Sequence, residues 1–259
     1  MRNSQRARSA LLASAKHLLA SAAVALMVAA LVFNLWYPPP YGELASGYAL
    51  FLLVISVDVV VGPLLTLIVF NPHKAKQELR RDIGLVVLIQ FAALIYGLYS
   101  IMQARPVYLA FEGDRYRVVS VPDIDLNNLA RAAPSFRQLS LTGPKLVGVR
   151  LAQPNDPEYR QSIIDSLAGL HPAFRPSRWV DYDNQRPQVI AKARPLVELQ
   201  RRHPKRPALF DMAMSESGLP LGALGFLPLV AENRSDWVVV VGLHDGLPKA
   251  YLPIDGWQQ

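Results

Sequence analysis

The chain has 259 residues, 51% of them hydrophobic, with 27 Lys/Arg against 20 Asp/Glu and a formal charge of +7. It contains no cysteine, which excludes disulfides, thiolate catalysis and Cys-ligated metals. The charge is not a nucleic-acid footprint. Residues 1–104 hold 8 Lys/Arg and 4 Asp/Glu, leaving 19 and 16 for residues 105–259, a balance of only +3. The tightest basic group, Arg201, Arg202, Lys205 and Arg206, closes an expected helix, where cations suit the negative end of the dipole. No nucleic-acid partner is expected.

The first 104 residues read as a transmembrane anchor and 105–259 as a separate α+β domain. An apolar run of about 18–37 matches the roughly 20 residues needed to cross a bilayer and ends in the interfacial pair Trp36-Tyr37. Its length and the apolar runs that follow favour an uncleaved helix over a signal peptide. Ser21, Ala25 and Ala29 recur every four residues, a face that allows close helix approach, either within the chain or to a foreign helix. Pro38-Pro39-Pro40-Tyr41-Gly42 cannot continue the helix.

A second helix is expected over about 48–70, stopping at Asn71-Pro72, and a third over about 83–104. Lys/Arg cluster in the N-terminal tail and in the loop 71–82, while the 38–47 turn has none. The positive-inside rule then places the N-terminus and that loop in the cytoplasm, and residues 105–259 in the periplasm of a bacterial inner membrane.

Asp58 lies inside the second run. A carboxylate near mid-bilayer costs at least about 2.5–3.5 kcal/mol, so it is expected to face protein or water. Either it answers a donor on another helix or it is a local structural contact. Gly62-Pro63 loosens the same helix, and Thr66 can satisfy a freed carbonyl.

In the second domain, 107–111 and 115–121 flank Glu112-Gly113-Asp114 as a hairpin. A short helix is expected over 123–133, a strand over 145–152, and a helix opened by Asn155-Asp156-Pro157-Glu158 and stopped near Gly169. Residues 188–203 read as partly helical, interrupted at Pro195. Strands over 224–231, 236–243 and 250–254, joined by turns at Asn233–Ser235 and His244-Asp245-Gly246, complete a domain with antiparallel hairpins at both ends.

Little in this domain reads as catalytic. His171, His203 and His244 are too scattered for a metal motif, Ser215-Glu216-Ser217-Gly218 reads as a flexible turn, and Asp181 and Asp183 read as solvated. Neither enzyme activity nor a cofactor or metal is expected. A membrane-anchored sensor or scaffold and an envelope hydrolase remain the alternatives.

The segment Val57-Asp58-Val59-Val60-Val61-Gly62-Pro63-Leu64-Leu65-Thr66-Leu67-Ile68-Val69-Phe70-Asn71-Pro72 resembles the second membrane segment of the TfpX/TfpZ type IV pilin accessory family. Tyr96-Gly97-Leu98-Tyr99, Gln103-Ala104-Arg105-Pro106-Val107-Tyr108 and Gly225-Phe226-Leu227-Pro228-Leu229-Val230 are similar too. The resemblance implies an inner-membrane, chaperone-like accessory protein. Such a protein stabilises or presents the major pilin, a subunit held in the membrane by one apolar helix, before pilus assembly. Its partners are then that pilin, the lipid bilayer and, as a further option, a second copy of the chain. On this reading Asp58, Gly62, Pro63 and Thr66 contact the pilin helix, and Asn71, Pro72, Arg105 and Pro106 are structural motif residues.

Overall fold

The computed structural model describes residues 2–232 and 234–257, with only the backbone of Arg2–Ser4. The chain divides into two compact units, 1–105 and 106–259.

The first unit contains three helices long and apolar enough to cross a membrane, Gln5–Trp36, Gly47–Val69 and Lys76–Gln103. Two of them begin earlier than the apolar runs suggest. The first is already helical in its basic, Ala-rich N-terminal part (Arg2–Leu31) and continues as a π turn over Val32–Trp36. The third starts at Lys76 because Lys74 clamps its opening turns, reaching Asp82 at 2.6 Å and Glu78 at 3.6 Å. Acids near a helix N-terminus also suit its dipole. The loop before it therefore shortens to a few residues, with Asn71 Oδ1 accepting from the His73 amide at 3.1 Å.

The second helix packs against both the first and the third, while the first and third scarcely meet. Side chains on the outer faces, such as Leu26, Leu52, Leu53 and Leu88, are exposed. This apolar exterior is what lipid would cover. Beyond the first helix, Tyr37 is almost wholly buried, and its hydroxyl donates to the Ile101 carbonyl at 3.1 Å. Gly97 brings the third helix against Val54, because any Cβ there would overlap the valine methyls.

The second unit is built on one eight-stranded mixed sheet. Its strands are β1 (Pro106–Phe111), β2 (Tyr116–Ser120), β3 (Lys145–Val149), β4 (Trp179–Val180), β5 (Arg194–Pro195), β6 (Leu224–Ala231), β7 (Arg234–Gly242) and β8 (Pro248–Leu252). The order is β4-β3-β1-β2-β6-β7-β8, with β5 also on β6. The two expected hairpin systems are present but adjoin: β2 pairs β6 in parallel, and β1 pairs β3 in parallel. The turn expected at Asn233–Ser235 begins at Asn233, which lies outside the described residues.

Residues 237–242 of β7 are buried throughout, so both faces of the central strands are covered. On one side Phe210, Leu196 and Leu199 pack onto Phe226, Val238, Val240 and Leu252. A second cluster joins Val107, Val119, Val147 and Trp179.

Two local expectations change, and the interruption expected at Pro195 is present. Residues 123–133 form 3-10 turns (Val121–Asp123, Leu126–Arg131) rather than a helix. Residues 188–203 split into Arg186–Lys192 and Leu196–Arg202, with β5 between them. Ser215–Ser217 is not a flexible turn: it ends the helix Pro207–Ser217, where Gly218 at φ +66° donates to the Met214 carbonyl at 2.9 Å. Proline in the first turn and a left-handed glycine after the last are the ordinary signals of such a helix.

Candidate functional site

Asp58 is the middle residue of the Gly47–Val69 helix. Eleven residues on either side, at 1.5 Å each, place it about 16 Å from both ends. That is half the hydrocarbon thickness of a bilayer.

The helix is not regular there. Residues Val57–Val61 form a π turn, and the cause lies in Gly62-Pro63. In that register the Gly62 amide serves the Val57 carbonyl, and the Asp58 carbonyl would need the amide of residue 63. Proline has none. The Gln90 amide of the third helix takes its place, with Nε2 donating to the Asp58 carbonyl at 3.1 Å. Gly62 makes this approach possible, since a Cβ at that position would overlap the Gln90 amide. The Pro63 carbonyl is satisfied from the other side by Ser14 Oγ at 2.8 Å. One turn on, Thr66 Oγ1 and His17 Nδ1 share a hydrogen bond of 2.5 Å.

The second helix is thus laced to both neighbours through polar groups around its proline. Asp58, Thr66 and Gln90 are all at least nine-tenths buried. Two acceptors remain unused: Asp58 Oδ1 and Gln90 Oε1 accept no hydrogen bond from any described residue. A buried polar atom without a partner is costly and calls for an explanation. Both residues line a recess of about 220 Å³ that opens between the first and third helices. Its walls are His17, Ser21 and Ala25 on one side and Val87, Phe91 and Leu94 on the other. The small side chains of Ser21 and Ala25 keep the groove open beside the carboxylate.

Asp58, Gly62, Pro63 and Thr66 therefore sit in one buried cluster, of which Asp58 faces the open recess. Asn71 and Pro72 lie in the turn after the second helix. Arg105 is buried, with Nη1 donating to the Met102 carbonyl at 2.6 Å, and Pro106 opens β1 opposite Ser120. These four are away from the recess lining.

Sequence reasoning missed His17, Ser14 and Gln90. His17 lies inside the first helix, which begins well before the expected start near residue 18. Gln90 was legible as the one amide in the interior of the third apolar run, the other, Gln103, standing at its end.

The family model for the fimbrial assembly protein FimB matches residues 5–46. Two fimbrial assembly proteins of Dichelobacter nodosus, from serogroups I and E1, are each 37% identical over 257 residues, covering 99% of this chain and 99% of theirs. A third, from serogroups C1 and C2, is 44% identical over 130 residues, half of this chain and 99% of its own length. No solved structure matches the chain.

Proposed function

The chain belongs to the fimbrial assembly protein family, and from that premise we propose that it is a TfpX/TfpZ-type inner-membrane accessory protein that binds the major type IV pilin before pilus assembly. Three helices deliver the C-terminal domain to the periplasm, with the N-terminus in the cytoplasm, as the Lys/Arg distribution favours. The pilin's single membrane helix lies in the groove between the first and third helices, against Asp58. Gly62, Pro63 and Thr66 shape the floor behind it.

One observation carries this reading: a mid-span aspartate, with one carboxylate oxygen buried and without a hydrogen-bond partner among the described residues, lines an open lateral groove. An acyl chain filling the groove brings no donor to that oxygen. Any protein segment at that depth must satisfy its own backbone, which makes the occupant a helix. The periplasmic domain supports discrimination among pilins through β8, an edge strand of the sheet able to take a further strand.

The test is photocrosslinking in cells from positions 87 and 91 on the groove wall, with 52 and 53 on the outer face of the second helix as controls. Recovery of pilin from the wall positions alone is expected. Equal recovery from both sets, or self-contacts only, refutes the groove assignment. Asp58→Asn and Asp58→Ala should lower piliation while leaving this protein's own abundance intact. If the protein itself is lost, Asp58 is structural.

A further inference from the structure

A second cavity lies wholly within the sheet domain, about 550 Å³ in volume. That is the size of an ordinary small-ligand or peptide side-chain site. The β1–β2 turn forms one wall, the ends of the helices Tyr159–Leu167 and Arg186–Lys192 the others, and His171-Pro172 lies between. Gly113, at φ +80°, lets the turn close against Leu151, which lines the same wall.

Arg117 is the feature that gives this cleft a chemistry. Its side chain is only 9% exposed. Nε donates to Glu112 Oε2 at 2.8 Å, and Phe174 lies under the guanidinium with 5.6 Å to the ring centroid. Glu112 is fully engaged, because its other oxygen accepts the Ala173 amide at 3.1 Å. A guanidinium has five N–H donors. One is used here, and the terminal nitrogens have no partner among the described residues, yet neither belongs to the sealed, unsatisfied atoms. They are reached through the cleft. A buried cation held by one edge, with its fork of donors turned to a cavity, is the geometry that takes a carboxylate.

Charge balance selects the kind of anion. Arg117 is matched by Glu112, and Arg115 by Asp114 at 2.7 Å. Lys192 on the rim makes no ion pair with a described residue and leaves a surplus of one positive charge. His171 adds none near neutral pH, since burial and then the Arg117 charge hold its pKa below the ordinary value. A monoanion completes the site, whereas a phosphate dianion would meet two carboxylates with one cation to spare. Leu151 and Pro172 supply apolar surface beside the charged group.

We propose that this cleft binds a carboxylate-bearing peptide segment of a protein partner, the carboxylate lying on the Arg117 fork with Lys192 closing over it. The site is independent of the membrane groove and of what occupies that groove.

The test is fluorescence polarisation on the full chain in nanodiscs with rhodamine-labelled peptides of three kinds. One ends in a free α-carboxylate, one is amidated with an internal glutamate, and one is amidated and neutral. The two carboxylate peptides are expected to bind saturably and the neutral one not. Lys192→Gln, at an exposed position that leaves folding alone, should weaken binding about threefold. Arg117→Lys should weaken it tenfold or more with an unchanged near-ultraviolet dichroism spectrum. Equal binding of the neutral peptide, no saturation at millimolar peptide, or unchanged affinity in Lys192→Gln overturns the proposal. Tighter competition by inorganic phosphate than by the peptides overturns the choice of carboxylate.

Discussion

Replacing Gly62 by alanine tests the account of the membrane cluster most sharply. The new methyl would meet the Gln90 amide, with Cδ at 2.5 Å and Oε1 at 2.7 Å. That amide ends a flexible side chain, so it can turn aside and the overlap itself costs little. What is lost is the 3.1 Å bond to the Asp58 carbonyl, which Pro63 cannot replace. Interhelical hydrogen bonds in membranes contribute about 0.6 kcal/mol on average and up to about 1.7. An orphaned carbonyl adds to that, so about 1–2 kcal/mol is expected overall. Gly84 provides the internal control. Nothing lies within 4 Å of a Cβ there, and alanine is the better helix former, so Gly84→Ala should be neutral or stabilising. The assay is reversible SDS unfolding of the full chain in mixed micelles, followed by circular dichroism. Gly62→Ala combined with Gln90→Ala should cost less than the sum of the two, by at least about 0.5 kcal/mol, because the pair is in contact. If Gly62→Ala behaves like Gly84→Ala, the Gln90 bridge does not hold the π turn and the reasoning fails.

Gly97→Ala should cost more than Gly62→Ala, about 1–3 kcal/mol in the same assay. Here the methyl meets the stiff, β-branched Val54, which cannot rotate out of the way. Glu112→Ala should destabilise the sheet domain by about 2–3 kcal/mol in urea, read by tryptophan fluorescence. It strands the Arg117 charge, although access through the cleft softens the loss. Acidification should weaken the same domain through His171. Burial, then Arg117, lowers its folded pKa below the ordinary value of about 6.5, so its stabilising share is complete above 6.5 and is lost as pH falls through the lowered value. His171→Asn should therefore show a shallower fall in urea midpoint between pH 7.5 and 5.5 than the parent chain. Identical slopes would remove His171 as the cause.

The amino-acid sequence alone determined the features that are local in the chain. The three spans follow from apolar run length, and β6, β7 and β8 follow from short apolar stretches between turn residues. The cost of Asp58 follows from its place in the second run. Tertiary structure decided everything that joins distant segments. Thr66 meets His17, and Asp58 meets Gln90, across separations of 49 and 32 residues. Nothing in either neighbourhood encodes which polar group on one helix will face which carbonyl on another. The parallel pairings β1–β3 and β2–β6 join strands far apart in sequence, and β4 and β5, at two residues each, are too short to show any period. Periodicity and composition report how a segment meets solvent or lipid, whereas a partner is chosen by packing in three dimensions. Asp58 was therefore legible as a residue in need of a donor. That it lines an open groove between two helices that scarcely meet, while its Oδ1 accepts no hydrogen bond from a described residue, became visible only once the helices were placed.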